Sequence, residues 1–447
     1  MKFFFETYGC QMNIAESAAL ALAGRERGWL EAANSDEADL VLLNTCSVRA
    51  TAEQRVFGRL AQYKALKKKR PFTLVVAGCM AERLGEKLKK DFAVDYVMGT
   101  SARSLFPLIL ESVEKGGDFT GIEAAEKPVF SFSAFHHASS GFRDFSPFRS
   151  FVPIMHGCNN FCSYCIVPYV RGREVSRDPK AILAEIRLLG SRGVKEITLL
   201  GQNVNSYLWD DGKDGKHGSL DFPGLLRLIA SDLSSENGVK WVRFLSSHPK
   251  DLSDELIRVL AENPVFCRHI HLCVQHGSNN ILSAMNRRYT REQYLDLVRR
   301  LRSAIPDLSL STDILVGFPG ETEEDLKAAL DLMEEVKFLY AYMYHYNPRE
   351  GTAAFSLPDR ISAEVKRERL SRVIALQKRH TGELLKSRVG KKVTILIEGI
   401  SRKNADELIS RTERDEMVVL PGGAALLGSF AQVTLSSLRG NTFRSKL

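Results

Sequence analysis

Gly157-Cys158-Asn159-Asn160-Phe161-Cys162-Ser163-Tyr164-Cys165 places three thiols at x3 and x2 spacing in one nine-residue loop. That is close enough to bind one compact metal centre. Ferredoxin cubanes are filled by four cysteines in closer runs. No fourth cysteine and no histidine stands inside this loop. A cubane held here keeps one iron open, and an open coordination position belongs to a reactive site rather than a structural one. Zinc is the main rival, followed by three unrelated core thiols. Structural zinc sites usually bring two separated ligand pairs, whereas this loop has one x2 pair and no second pair downstream. The spacing favours iron and sulfur.

Working outward, the loop follows a strand-like run, Phe151–Met155, which begins about 200 residues of strand–helix alternation. Glu196–Leu200, Trp241–Leu245, His269–Val274, Leu308–Val316 and Leu339–Tyr346 read as further strands, with helices such as Lys180–Leu189 and Glu321–Glu335 between them. Six βα units predict a partial barrel, open on one side, with its site beyond the carboxyl ends of the strands. The cysteine loop falls there. So do Gly201-Gln202-Asn203 after the second strand and Gln275-His276-Gly277-Ser278 after the fourth, while Asp313 and Gly317-Phe318-Pro319-Gly320 close the fifth. His276 reads either as a polar contact or as an exposed ring. Cys267 and Cys273, widely spaced in strand context, read as core thiols.

Residues 1 to about 100 show the same alternation, with strands at Phe3–Thr7, Leu40–Asn44 and Thr73–Ala77. Short apolar strands separated by helices predict an open parallel α/β sheet. Cys10, Cys46 and Cys79 fall just after those three strands, and ligands of such sheets gather at the carboxyl edge. The three thiols form either a second cluster or buried structural cysteines. From residue 116 to 148 the alternation stops. This Ser-, Gly- and Phe-rich stretch, with His136 and His137 inside it, reads as a linker packed onto its neighbours, because freely exposed phenylalanines would drive aggregation. The two histidines read as surface residues.

From about Lys386, short strands at Lys392–Glu398, Leu408–Arg411, Met417–Leu420 and Phe430–Leu435, broken by glycines, predict a small antiparallel β-barrel. Residues 385–447 carry 11 Lys/Arg against 6 Asp/Glu within a chain of net charge +8. That surplus suits an anionic polymer as partner, or else a solvated surface. No apolar run reaches the ~18 residues of a membrane span, and an acid at Glu6 breaks the N-terminus too early for a secretory signal. A cytoplasmic protein is expected. Eight cysteines in such a chain indicate metal or redox chemistry rather than disulfides. The absence of a Walker loop and of a clean GxGxxG excludes the common nucleotide hydrolases.

With Tyr8-Gly9-Cys10-Gln11-Met12-Asn13, Asn44-Thr45-Cys46, Ala77-Gly78-Cys79, the triad loop, Arg171-Gly172-Arg173-Glu174-Val175-Ser176-Arg177 and Leu200-Gly201-Gln202-Asn203, the chain resembles the radical S-adenosylmethionine (SAM) methylthiotransferases end to end. The likeness is strongest to their tRNA-modifying branch. It implies two 4Fe-4S clusters, one on Cys158, Cys162 and Cys165 that binds and cleaves SAM, and one on Cys10, Cys46 and Cys79 that supplies or carries sulfur. It implies that Gly201 and Gln202 meet the amino group of SAM, and that a second SAM gives the methyl group. The C-terminal piece resembles a TRAM domain, an RNA-binding barrel, with Ser410 where a glycine is expected.

The implied reaction converts N6-isopentenyladenosine beside the anticodon of tRNA to its 2-methylthio derivative. An electron donor such as flavodoxin or ferredoxin and a sulfur source are implied partners. Threonylcarbamoyl-adenosine tRNA and a ribosomal-protein aspartate are rival substrates for the same chemistry, and a non-catalytic iron–sulfur RNA-binding sensor is the rival of a different class. The expected division is 1–115 for the methylthiotransferase domain, 116–148 for the linker, 149–380 for the radical SAM barrel and 385–447 for the RNA-binding domain.

Overall fold

Leu40-Val41-Leu42-Leu43-Asn44-Thr45 is buried throughout, as a run with apolar side chains on both faces must be at the centre of a parallel sheet. In the computed structural model, which describes residues 1–47, 50–123, 130, 132, 146–210, 219–233, 238–358 and 360–446, this run is β3. Around it stand β1 (Lys2–Thr7), β2 (Leu30–Glu31), β4 (Thr73–Gly78) and β5 (Tyr96–Met98), in the order β2-β1-β3-β4-β5 and all parallel. Strand alternation divides the core in two. Leu40 and Leu42 pack with Phe3, Val75 and Phe106 on one face, while Val41 and Leu43 pack with Val56, Leu60 and Val76 on the other. The helices α1 (Gln11–Glu26), α2 (Ala50–Lys67) and α3 (Cys79–Phe92) connect the strands. The two short edge strands β2 and β5 were not expected from the sequence.

Contacts group the chain into two units, Met1–Arg143 with His156–Asn159 and Cys165–Arg177, and Asp144–Met155 with Asn160–Tyr164 and Asp178–Leu447. Most of the expected linker, including His136 and His137, lies outside the described residues. Of its described part, Thr120–Glu123 forms a helical turn, and Phe119 is buried against Tyr96.

In the second unit the six expected strands appear at Arg149–Pro153, Glu196–Leu200, Trp241–Phe244, His269–His271, Ser309–Val316 and Tyr340–His345. They pair in parallel as two groups of three. Isolated parallel bridges, Val242 to Phe266 and Ser247 to Leu272, tie the third strand region to the fourth. The fourth strand ends three residues early. Beyond it the Cys273 carbonyl accepts from Arg287 Nη2 at 2.6 Å, and Gln275 takes a positive φ of 70°. One apolar core fills the space between strands and helices. A long helix unforeseen in the sequence, Ala363–Lys386, docks on the last strand region through Gln377 Nε2 to the Phe338 carbonyl and Thr381 Oγ1 to the Leu339 carbonyl.

The C-terminal piece is a six-stranded sheet around Ile395, Ile397, Leu408, Val418 and Phe443. One feature departs from the antiparallel expectation: Met417–Pro421 pairs in parallel with Thr442–Arg444, a strand supplied by the chain's last residues. Ser410, where a glycine was expected, is fully buried and donates its Oγ to the Val418 carbonyl at 2.8 Å. Ser410 lies within the strand Glu407–Thr412, which accommodates it by satisfying its hydroxyl. Within this unit the sheet joins the barrel through buried charge. Arg243 pairs with Glu196 and donates to the carbonyls of Thr412 and Glu413.

Candidate active site

β1, β3 and β4 are neighbours at the centre of the first sheet, so their carboxyl ends share one edge. Cys10 caps the start of α1, Cys46 follows β3 directly, and Cys79 opens α3 after β4. Two glycines make this close approach possible. A Cβ on Gly9 would stand 2.8 Å from Cys46 Cβ, and one on Gly78 would stand 2.4 Å from the Thr45 carbonyl at a φ of +92°. Buried amides then fix the edge. Asn13 Nδ2 donates to Asn44 Oδ1 at 2.9 Å and Asn44 Nδ2 returns to the Asn13 carbonyl at 2.9 Å. The Asn13 side chain also caps the backbone N–H of Cys10 at 3.3 Å.

The Cys10 thiol does not behave as an inert core cysteine. A hydrogen bond from Cys46, opposed by dehydration and aided by the charge of Arg171, pushes the Cys10 thiol down to about 6. Burial raises Cys79, with Arg171 opposing. Arg171 itself is buried and donates Nη1 to Glu16 Oε1 at 2.7 Å, and Arg103 reaches the same oxygen at 3.3 Å. Thiols that follow neighbouring strands at one sheet edge, two of them in the field of a buried guanidinium, suit an iron–sulfur centre, whose thiolates need compensating charge.

The two parts of the triad loop are each held within their own unit. In the first, Cys158 N donates to the Gly172 carbonyl at 3.1 Å, and Asn159 N donates to Glu174 Oε1 at 3.1 Å. Arg171-Gly172-Arg173-Glu174 is therefore a brace for the loop. His156, which directly precedes the loop and which the sequence reading passes over, is buried and stacked on Phe130 at 3.6 Å. In the second unit, Ser163 N donates to the Met285 carbonyl at 3.1 Å, and Asn286 Nδ2 donates to the Phe161 carbonyl at 3.0 Å. Arg287 Nη1 points at Cys162 Sγ, 3.3 Å away. Sequence reasoning missed Met285, Asn286 and Arg287, because no spacing rule ties them to a loop over 120 residues earlier. A cationic side chain against a thiol of the motif is the physical signal that would have raised Arg287.

At the end of the second barrel strand the expectations divide. Gly201 is required by packing, since a Cβ there would meet Met155 Cγ at 2.4 Å. Asn203 is occupied structurally, donating to Asp251 Oδ2 at 2.7 Å. Gln202 keeps a buried Oε1 with no partner among the described residues, an acceptor fit for the ammonium group of an amino acid. His276 is not exposed. It is fully buried with Nε2 3.4 Å from Glu321, which in turn holds Arg369 at 2.9 Å. Gly317 and Phe318 serve packing, against Lys366 and the cluster containing Tyr346. Cys267 is a core thiol beside Trp241 and Leu396. Cys273 is not. It converges with His271 and Asp313, all three offering ligand atoms within 4.8 Å of one another, and Ser311 Oγ fixes His271 Nδ1 at 2.9 Å.

Residues 152–333 match the radical SAM superfamily, residues 2–99 match the uncharacterized protein family UPF0004, and residues 386–447 match the TRAM domain. The tRNA-2-methylthio-N(6)-dimethylallyladenosine synthase of Treponema denticola is 52% identical over 100% of both chains. The enzyme of that name from Bacteroides fragilis is 44% identical over 100% of this chain and 95% of its own. Among solved structures, the radical S-adenosylmethionine methyltransferase TsrM of Kitasatospora setae, with cobalamin and a [4Fe-4S] cluster bound, superposes with a TM-score of 0.60 at 17% identity, over 79% of this chain and 77% of that one. This last likeness speaks for the fold alone. The chain belongs to the radical SAM family of tRNA-2-methylthio-N(6)-dimethylallyladenosine synthases.

Proposed function

We propose that this chain methylthiolates N6-dimethylallyladenosine in tRNA, with SAM and two [4Fe-4S] clusters as cofactors, Cys158, Cys162 and Cys165 holding one cluster and Cys10, Cys46 and Cys79 the other. The observation that carries the reading is the pairing of full-length identity to enzymes of that name with six thiols in two such sets. When bound, the SAM-ligated cluster supplies an electron and a carbon radical, the reagent needed to open an unactivated C–H bond.

The chain's own residues position and shield. Glu174 holds Asn159, Asn286 and the Met285 carbonyl hold Phe161 and Ser163, and Arg287 gives Cys162 Sγ a charge-assisted donor. Gln202 Oε1 takes the SAM ammonium group. Gly201 contributes by letting Met155 close beneath that turn rather than by touching the cofactor. The Asn13–Asn44 pair holds Cys10 near Cys46.

Residues 385–447 bind the RNA backbone through their exposed cations. The division at 1–115, 116–148, 149–380 and 385–447 is kept as the working map. Sulfur and reducing electrons come from outside the chain, the latter from a flavodoxin- or ferredoxin-like donor. No helix among the described residues is long and apolar enough to cross a membrane, and we place the reaction in the cytoplasm with its tRNA.

The test is anaerobic reconstitution with reductant, SAM, sulfide and tRNA carrying N6-dimethylallyladenosine, read by nucleoside mass spectrometry. The 2-methylthio nucleoside should form together with deoxyadenosine. Deoxyadenosine without product on this tRNA, but with product on threonylcarbamoyl-adenosine tRNA, would reassign the substrate.

A further inference from the structure

Arg171 is buried to 4% exposure, yet only part of its guanidinium is used. Nη1 donates to Glu16 Oε1 at 2.7 Å, while Nη2 is buried without a hydrogen-bond partner among the described residues. Burial aside, the groups that hold its charge in place are Cys79, Glu16 and Cys10. The short helix Val167–Arg171 lies on α3 at its cysteine end, where Ile166 and Val170 pack with Cys79. Thr100 pins that helix by donating Oγ1 to the Val170 carbonyl at 2.5 Å. Arg103 shares the Glu16 oxygen at 3.3 Å.

Arg171 and Arg103 meet on the one Glu16 oxygen, in a buried space within the electrostatic reach of Cys79 and Cys10. Thiols that are deprotonated and carry a cluster bring further negative charge to that space. The unused Nη2 donor then has its acceptor too, because cluster sulfurs take hydrogen bonds, and such bonds set cluster potentials.

We propose that Arg171 is a positioning residue for the N-terminal cluster, with Nη2 donating to a sulfur of the Cys10–Cys46–Cys79 centre and thereby raising its reduction potential. Glu16 opposes it by drawing guanidinium charge toward the carboxylate. This rests on the assignment of Cys10, Cys46 and Cys79 as cluster ligands.

The full-length chain carrying Cys158→Ala, Cys162→Ala and Cys165→Ala isolates that cluster. Its iron content and EPR-monitored midpoint potential are compared with and without Arg171→Met, Arg171→Lys and Glu16→Gln. Arg171→Met should move the potential to more negative values. Arg171→Lys, which keeps the charge but is too short to serve both Glu16 and a sulfur, should shift it less in the same direction and keep the fold if the Met variant does not. Glu16→Gln should move it the opposite way. Unchanged potentials, or shifts of the same sign for Arg171→Lys and Glu16→Gln, overturn the proposal. A parent that binds no iron overturns the ligand assignment instead, and this inference with it.

Discussion

The two cysteine sets are assembled by opposite routes. Cys158, Cys162 and Cys165 are close because they are neighbours in sequence. Cys10, Cys46 and Cys79 are brought to one sheet edge only by the order β1-β3-β4. The local set needs little from the fold to exist, but its exactness depends on distant side chains, above all Arg287 and Asn286. The dispersed set has its support close by, in Asn13, Asn44 and the glycines before Cys10 and Cys79. A local motif thus announces its chemistry and hides its scaffold. A dispersed set hides its chemistry until the topology is known.

The largest expected effects separate the two sets. Cys158→Ala should abolish SAM cleavage, a loss of ~10³-fold or more, and leave about four irons per chain in the other centre. Cys46→Ala should keep SAM cleavage and make no methylthio product. Deoxyadenosine assays beside nucleoside mass spectrometry decide it, and product from Cys46→Ala at the parent rate would end the division of labour.

Next comes the hidden scaffold. Arg287→Ala removes the donor to Cys162 Sγ and to the Cys273 carbonyl. SAM cleavage should fall ~10–100-fold, the usual cost of losing a partner of a metal ligand, while the Cys10–Cys46–Cys79 centre keeps its iron.

A smaller effect is expected at Gly78, where an added Cβ meets the Thr45 carbonyl at 2.4 Å in left-handed backbone. Gly78→Ala should cost about 2–3 kcal/mol in denaturant titration. It should lower iron in the N-terminal centre before it affects SAM cleavage.

The smallest concerns RNA. Arg388, Arg411 and Arg414 are committed to Asp307, Glu398, Asp415 and Glu416, so they are poor candidates for phosphate contacts. Lys391, Lys392, Lys403 and Arg439 are exposed. Each that contacts a phosphate should reduce the slope of log affinity against log salt by ~0.7–0.9 when changed to Ala. Removing residues 385–447 altogether is a less clean test, since it would uncover Trp241 and Cys267, which pack against Leu396 and Phe430.

The sequence made the α/β class, the six barrel strands and the place of Cys10, Cys46 and Cys79 after three parallel strands legible, since strand periodicity is a local signal. What escaped it was long-range. The parallel pairing of Thr442–Arg444 with Met417–Pro421 depends on where the chain's last residues return. Cys273 looked like a core thiol because nothing local shows that His271 and Asp313 face it. Gly201 has a packing reason, the Met155 side chain, that no local pattern shows. His276 looked like a surface option because its partner Glu321 sits 45 residues away on another segment.

The most direct test of the account is the tRNA of cells that lack this protein, digested to nucleosides and weighed. The 2-methylthio derivative of N6-dimethylallyladenosine should disappear while N6-dimethylallyladenosine accumulates, and the parent gene should restore the ratio where the Cys46→Ala form does not. An unchanged level of the methylthio nucleoside in those cells would contradict it.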